Sequence, residues 1–297
     1  MNRSINSVPA PPIVRSRSAR LQLWIPAALL PAALLWSYWP TIYALFKDWQ
    51  SDDNYSVGQL VPIAALYLLW QERSALSQYR AAPSFFGGVG LLIFAQVVRL
   101  FGLVFLFESA ERYSIVLSIA GIVLLAAGWR IFHHVRWILL FLFLMVPLPG
   151  KIHNLISGPL QSLATGAAVF ALELIGFEVT RQGHVMVLND SVPIAVAEAC
   201  SGLRMLTAFV VVAATLAYVV NRPRWQKITL ICSSVPVALL CNLLRLVATA
   251  VLFVVASSEV GERFFHDFAG ITMMPIAVLL LAAELWLMSR LVIDDDK

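Results

Sequence analysis

Three short segments carry the side chains that could do chemistry. The first, Glu198-Ala199-Cys200-Ser201-Gly202-Leu203-Arg204, puts a cysteine where a long apolar helix begins. A thiol in the first turn of a helix feels the positive end of the macrodipole, and Arg204 one turn further on also favours the thiolate, the form that attacks carbonyls. The second is Arg245, inside an apolar run ten residues before Val255, which is roughly 15 Å below the end of its helix at about 1.5 Å per residue. A guanidinium at that depth needs an anionic or carbonyl partner and faces a cavity or the bundle interior. The third, Phe265-His266-Asp267-Phe268-Ala269-Gly270, immediately precedes the last apolar run. His266 can move protons near neutral pH, with Asp267 or Glu262 available to hold its cationic form. A thiol, an imidazole and a guanidinium at one level point to acyl transfer through a thioester. The cysteine attacks, the histidine moves protons, and the arginine stabilises the oxyanion or holds an anionic substrate group.

The remaining candidates are weaker. Cys232 and Cys241 lie nine residues apart in one apolar helix, on opposite faces, and are expected to be inert. No CxxC or Cys/His spacing is present, so no metal or other cofactor is expected. His133 and His134 read as polar residues of an inner loop beside Arg130 and Arg136, while His153 and His184 are spare candidates on the outer side. Arg99 and Glu284, the other charges inside apolar blocks, fit a structural pair or snorkelling side chains.

The elements that must position these groups are membrane helices. Of the 297 residues 60% are hydrophobic and 13% charged, and a mean hydropathy of +0.82 leaves too little polar surface to coat a water-soluble core. The basic residues are scattered between apolar blocks, which excludes a nucleic-acid surface. Apolar blocks fall at 23–46, 57–70, 85–107, 113–129, 135–149, 203–220, 228–255 and 269–292. The expected fold is therefore an all-α integral membrane protein with about eight transmembrane helices. An additional amphipathic or re-entrant helix is expected at the outer face, from Leu155 to Phe177. There Ile156, Leu160, Leu163, Ala167, Phe170 and Leu174 share a face, and Ser157, Gln161, Ser162, Thr165 and Glu173 dilute the rest. If this helix does not cross, the inner segments hold 13 basic residues and the outer ones 5; if it crosses, the counts become 10 and 8. The positive-inside rule favours the first arrangement, with both termini cytoplasmic and Cys200 and His266 at the outer face.

Residues 1–22 read as a basic cytoplasmic tail, 23–293 as the polytopic domain with its active-site half at 147–290, and 294–297 as a short acidic tail. Between Phe177 and Ala197, alternating apolar and polar residues around Gly183 and Asn189-Asp190 suggest a short hairpin.

The ordered trio resembles the exosortase and archaeosortase family of polytopic membrane cysteine transpeptidases. The likeness rests on the cysteine segment 198–204, on Asn242-Leu243-Leu244-Arg245, and on His266 with Gly270, and it extends from Trp39 onward. Trp39-Pro40, Tyr55-Ser56 with Gly58, Pro62 ahead of Tyr67-Leu68 and Trp70, Pro147-Leu148-Pro149 and Pro159-Leu160-Gln161 resemble other parts of the family pattern. The resemblance implies Cys200 as nucleophile, His266 as acid/base and Arg245 as substrate or oxyanion partner. Glu198, Ser201, Gly202, Arg204, Asn242 and Asp267 would support them. It implies exported protein substrates that end in a short motif such as Pro-Glu-Pro, a transmembrane helix and a basic cluster. The new C-terminus would pass to an acceptor, with membrane lipids one possibility, in a bacterial inner membrane with the site toward the periplasm. At Val57 many relatives carry histidine, a departure that cautions against assuming the commonest motif. Two other classes fit the composition: a transporter or flippase lined by Arg99, Arg245 and Glu284, in which the cysteine is dispensable, and a non-catalytic assembly subunit.

Overall fold

The computed structural model describes residues 17–52, 54–189, 192–195, 202–255 and 269–291. Helices dominate them: α1 (Arg17–Ser51), α2 (Leu60–Gln71), α3 (Arg73–Leu76), α4 (Phe85–Val104), α5 (Glu108–Ala127), α6 (Trp129–Phe141), α7 (Gly150–Ile175), α8 (Leu203–Val219), α9 (Arg224–Val255) and α10 (Ala269–Leu291). Two 3-10 turns, Ser56–Gln59 and Leu142–Met145, extend α2 and α6. Residues 1–40 and 41–297 form separate compact units; the first contains the beginning of α1, where Trp36 and Trp39 are exposed.

Five helical segments among the described residues are long and apolar enough to cross a membrane: Leu29–Ser51, Phe85–Val104, Glu108–Ala127, Gly150–Ile175 and Arg224–Val255. Two shorter apolar stretches, Ser56–Gln71 and Leu203–Val219, accompany them. Large apolar side chains such as Phe86, Phe94, Leu155, Phe170 and Leu279 are exposed on these helices. In a helical bundle of this hydropathy that is the surface lipid covers, and the chain is a multi-pass membrane protein.

Small residues set the closest helix pair. Gly88, Ala95 and Gly102, seven residues apart, form the buried seam of α4. A Cβ at Gly88 would stand 2.5 Å from Leu125 Cα, and one at Gly102 2.7 Å from the Glu111 backbone nitrogen. The two helices are thus antiparallel and touch backbone to backbone, as small-xxx-small seams allow in lipid. Glu108 and Glu111 in the first turn of α5 complement its dipole.

The segment expected as a hairpin is a three-stranded antiparallel sheet in the order β1 (Val179–Gln182), β2 (Val185–Leu188), β3 (Val192–Ala195). Gly183, with φ +64°, opens the two-residue loop between Gln182 and Val185, where a II′ hairpin puts glycine. Before the sheet, α7 ends in a Schellman motif. Gly176 takes φ +100°, its N–H donates to the Glu173 carbonyl, and the Phe177 N–H donates to that of Leu172. Met186 and Leu188 of β2, both fully buried, pack with Ala164, Ala168 and Leu172 of α7 and with Leu246 and Ala250 of α9. Arg181 fastens the outer side, donating to Ser162 Oγ at 2.9 Å and to the Gly183 carbonyl at 2.9 Å.

Other expectations are adjusted. The amphipathic helix starts at Gly150 rather than Leu155 and is a single helix of 26 residues. Its polar-diluted face is the buried one, with Ser157 and Thr165 inside, while Leu163, Phe170 and Leu174 are exposed. His133 and His134 lie in α6, not in a loop. His134 Nε2 is 2.7 Å from Glu72 Oε2, and Arg136 donates to the His133 ring at 2.9 Å. Cys241 is buried and Cys232 exposed, as opposite helix faces require. Glu284 accepts a hydrogen bond from Ser233 Oγ at 2.7 Å, tying α10 to α9.

Candidate active site

Cys200, Glu198, Ser201, His266 and Asp267 lie outside the described residues, whereas Gly202, Arg204, Asn242 and Arg245 lie within them. Two of the three sequence motifs therefore have an observable geometry. Gly202 precedes α8 with φ +87°, in the left-handed region that a side chain disfavours. It is buried, and a Cβ there would stand 3.1 Å from Asn242 Nδ2. Glycine thus serves twice: it makes the turn that starts the helix and lets the start of α8 rest on α9.

That contact sets the level of everything around it. The four-residue connection between α8 and α9 makes them antiparallel. Met205, Phe209, Ala213 and Ala217 share a core with Leu230, Ala238 and Cys241. The start of α8 stands level with Asn242, and α9 continues from there to Val255, about 20 Å further at 1.5 Å per residue. Arg245 is one turn into that continuation. Measured from the end of α9 it is deep, as the sequence implied, and it lies about one turn from the level at which α8 starts. Arg245 is 8% exposed and Asn242 1%; Arg204 is half-buried. Arg204 and Arg245 thus place two guanidinium-bearing residues within about one helical turn of Gly202 and Asn242. Thr207 hydroxyl donates to the Leu203 carbonyl at 3.1 Å and to that of Arg204 at 2.9 Å, closing the first turn of α8.

A polar network ties the end of α1 to the start of α5, and the sequence did not reveal it. Arg112, buried at the beginning of α5, is 2.7 Å from Asp48 Oδ2 and 2.8 Å from Glu108 Oε2. Thr41 donates to Glu111 Oε1 at 2.6 Å. Trp49 Nε1 donates to the Met145 carbonyl at 3.0 Å, and Gly58 leaves room for that indole. His153, a spare candidate from sequence, is 5% exposed and its Nδ1 lies 2.9 Å from the Tyr55 hydroxyl. His184 is exposed in the hairpin loop. Only the i,i+4 spacing of Glu108 and Arg112 was a signal in sequence; the distant Asp48 gave none. Among the described residues no group of three or more His, Cys, Asp or Glu could hold a metal ion.

The match with known families decides the identity. Residues 49–283 match the model of the transmembrane exosortase family, most of the chain and all three motifs. The chain is a transmembrane exosortase family member. The match begins at Trp49, ten residues after the point where the motif resemblance starts. Exosortases are membrane-embedded cysteine transpeptidases that act in protein sorting. Comparison with curated proteins and with solved structures finds no match.

Proposed function

We propose that this exosortase cleaves a C-terminal sorting signal of exported proteins through a Cys200 thioester and transfers the new C-terminus to an acceptor. The Cys200 thiolate attacks the scissile carbonyl, and Arg245 stabilises the oxyanion or holds an anionic motif residue. As the tetrahedral adduct collapses, the C–N bond breaks and His266 protonates the leaving amine. An acceptor nucleophile, with a membrane lipid one candidate, then attacks the thioester and gives its proton to His266, and the C–S bond breaks to release the Cys200 thiolate. Asp267 holds the imidazolium, while Glu198, Ser201, Gly202, Arg204 and Asn242 shape the site. The reading is carried by the seating of Gly202 on Asn242, which joins two motifs some forty residues apart at one level.

The active-site half, 147–290, works at the outer face of a bacterial inner membrane in an eight-span chain with both termini inside. The charge counts support this orientation. So does the start of α8: its Leu203 and Thr207 line one cavity with Asn54 and Tyr55, and Tyr55 meets His153 near the start of α7, so that α8 begins on the side on which α7 begins.

Co-expression with a reporter carrying one of the host's own motif–helix–basic-cluster tails tests the activity. Cys200→Ala should abolish processing while membrane insertion persists; undiminished processing overturns the proposal. A thiol reagent that cannot cross the inner membrane should label Cys200 from outside, and labelling from the cytoplasmic side alone overturns the orientation.

A further inference from the structure

A cavity of about 420 Å³ lies against the first turns of α8, whose Leu203, Thr207 and Val211 form one wall. Asn54, Val57 and Tyr113 stand on others, and the 143–148 segment completes the lining. Its size falls in the roughly 300–1,000 Å³ range of small-ligand pockets. Leu203 is three residues from Cys200, so at 3.8 Å between consecutive Cα atoms the nucleophile's backbone is within about 11 Å of the cavity wall. A substrate joined to the sulfur as a thioester is therefore within reach of this space.

The lining also says what kind of group belongs there. Val57 is 5% exposed and Val211 6%, and their stiff, branched side chains fix the width of an otherwise apolar space. Asn54 Oδ1 is buried with no hydrogen-bond partner, a cost that a donor from a bound molecule would remove. An apolar side chain carried on a peptide backbone supplies both an apolar filling and an N–H, whereas a lipid acyl chain supplies no donor. The wall bearing Val57 is held in place, because the Trp49 indole bonds the Met145 carbonyl beside Gly58.

We infer that this cavity is the subsite for one apolar side chain of the sorting signal beside the scissile bond. Asn54 Oδ1 accepts a substrate N–H, and Val57 and Val211 determine the side-chain size admitted. The inference rests on the transpeptidase reading above and adds which residues of the enzyme read the signal.

The test uses full-length enzyme and reporters with a host sorting tail in which each motif residue and its immediate neighbours are replaced singly by Gly, Ala, Val, Leu or Phe. Val57→Ala should raise processing of the Leu or Phe tail relative to the Ala tail by about tenfold at one position only, the scale set by a methylene or two in a hydrophobic pocket. Val57→Phe should reverse that preference. Val211→Ala and Val211→Phe, on the α8 wall, should move the same position, and they decide the matter if a Val57 variant fails to accumulate in the membrane. Cys200-dependent processing in the wild type with unchanged tail preferences in these variants overturns the subsite alone. Absence of any Cys200-dependent processing removes the transpeptidase reading and the subsite with it.

Discussion

Arg112 and Arg245 are buried to the same degree, each 8% exposed, yet they stand in different parts of the bundle. Arg112 begins a helix and is clasped by two carboxylates, one from its own helix and one from the end of α1. Arg245 stands deep in α9, one turn from the asparagine against which Gly202 packs. Burial alone therefore says little about the work of a cation in this bundle. A guanidinium enclosed by carboxylates holds helices together. The one beside the start of α8 is the group proposed above to act on the substrate.

The same substitution at both positions should separate these roles. Arg245→Lys keeps the charge but loses the planar fork, and a drop in reporter processing of about 10²–10³-fold is expected, the usual loss of an oxyanion donor, with thermal stability close to wild type. Arg112→Lys should retain most of its processing, since an ammonium can still reach Asp48. Equal loss of activity in both variants would erase the distinction.

Arg112→Ala leaves the part-buried Asp48 uncompensated and is expected to cost about 3 kcal/mol, seen as a lower unfolding midpoint in detergent. Glu108→Gln should cost only a few tenths, because the Glu108 side chain is 75% exposed. A midpoint unchanged by Arg112→Ala would show that the triad holds nothing.

Gly202→Ala puts a side chain at φ +87° and against Asn242. It should cost about 1–2 kcal/mol in strain and lower processing more than stability, because the displaced asparagine is one turn from Arg245. The smallest effect belongs to Tyr55→Phe. It removes the hydrogen bond to buried His153 and should lower stability by about 1 kcal/mol while processing continues, which would mark His153 as a structural residue.

Much of this was legible in the chain. Apolar runs of helix length announce membrane spans because lipid leaves the backbone few other solutions, and the described helices follow those runs. The paired placement of Cys232 and Cys241 followed from the 100° step of a helix. What escaped is long-range: Asp48 meets Arg112 across more than sixty residues, His153 meets Tyr55 across 98, and no local pattern encodes either. The hairpin segment was read correctly as extended, but its third strand and its burial between α7 and α9 depend on Met186 and Leu188 finding small residues on both helices.

The sequence by itself determined the solvent, through hydropathy, and the helices, through run length. It also determined the chemical vocabulary, because a thiol at a helix start, a guanidinium and an imidazole are properties of residue type and order. Only the tertiary structure decided that Gly202, at the start of α8, stands level with Asn242, one turn from Arg245. That depends on where α8 is seated along a longer neighbour, and the seating is fixed by Gly202 fitting against Asn242, a packing choice between surfaces that no single helix contains.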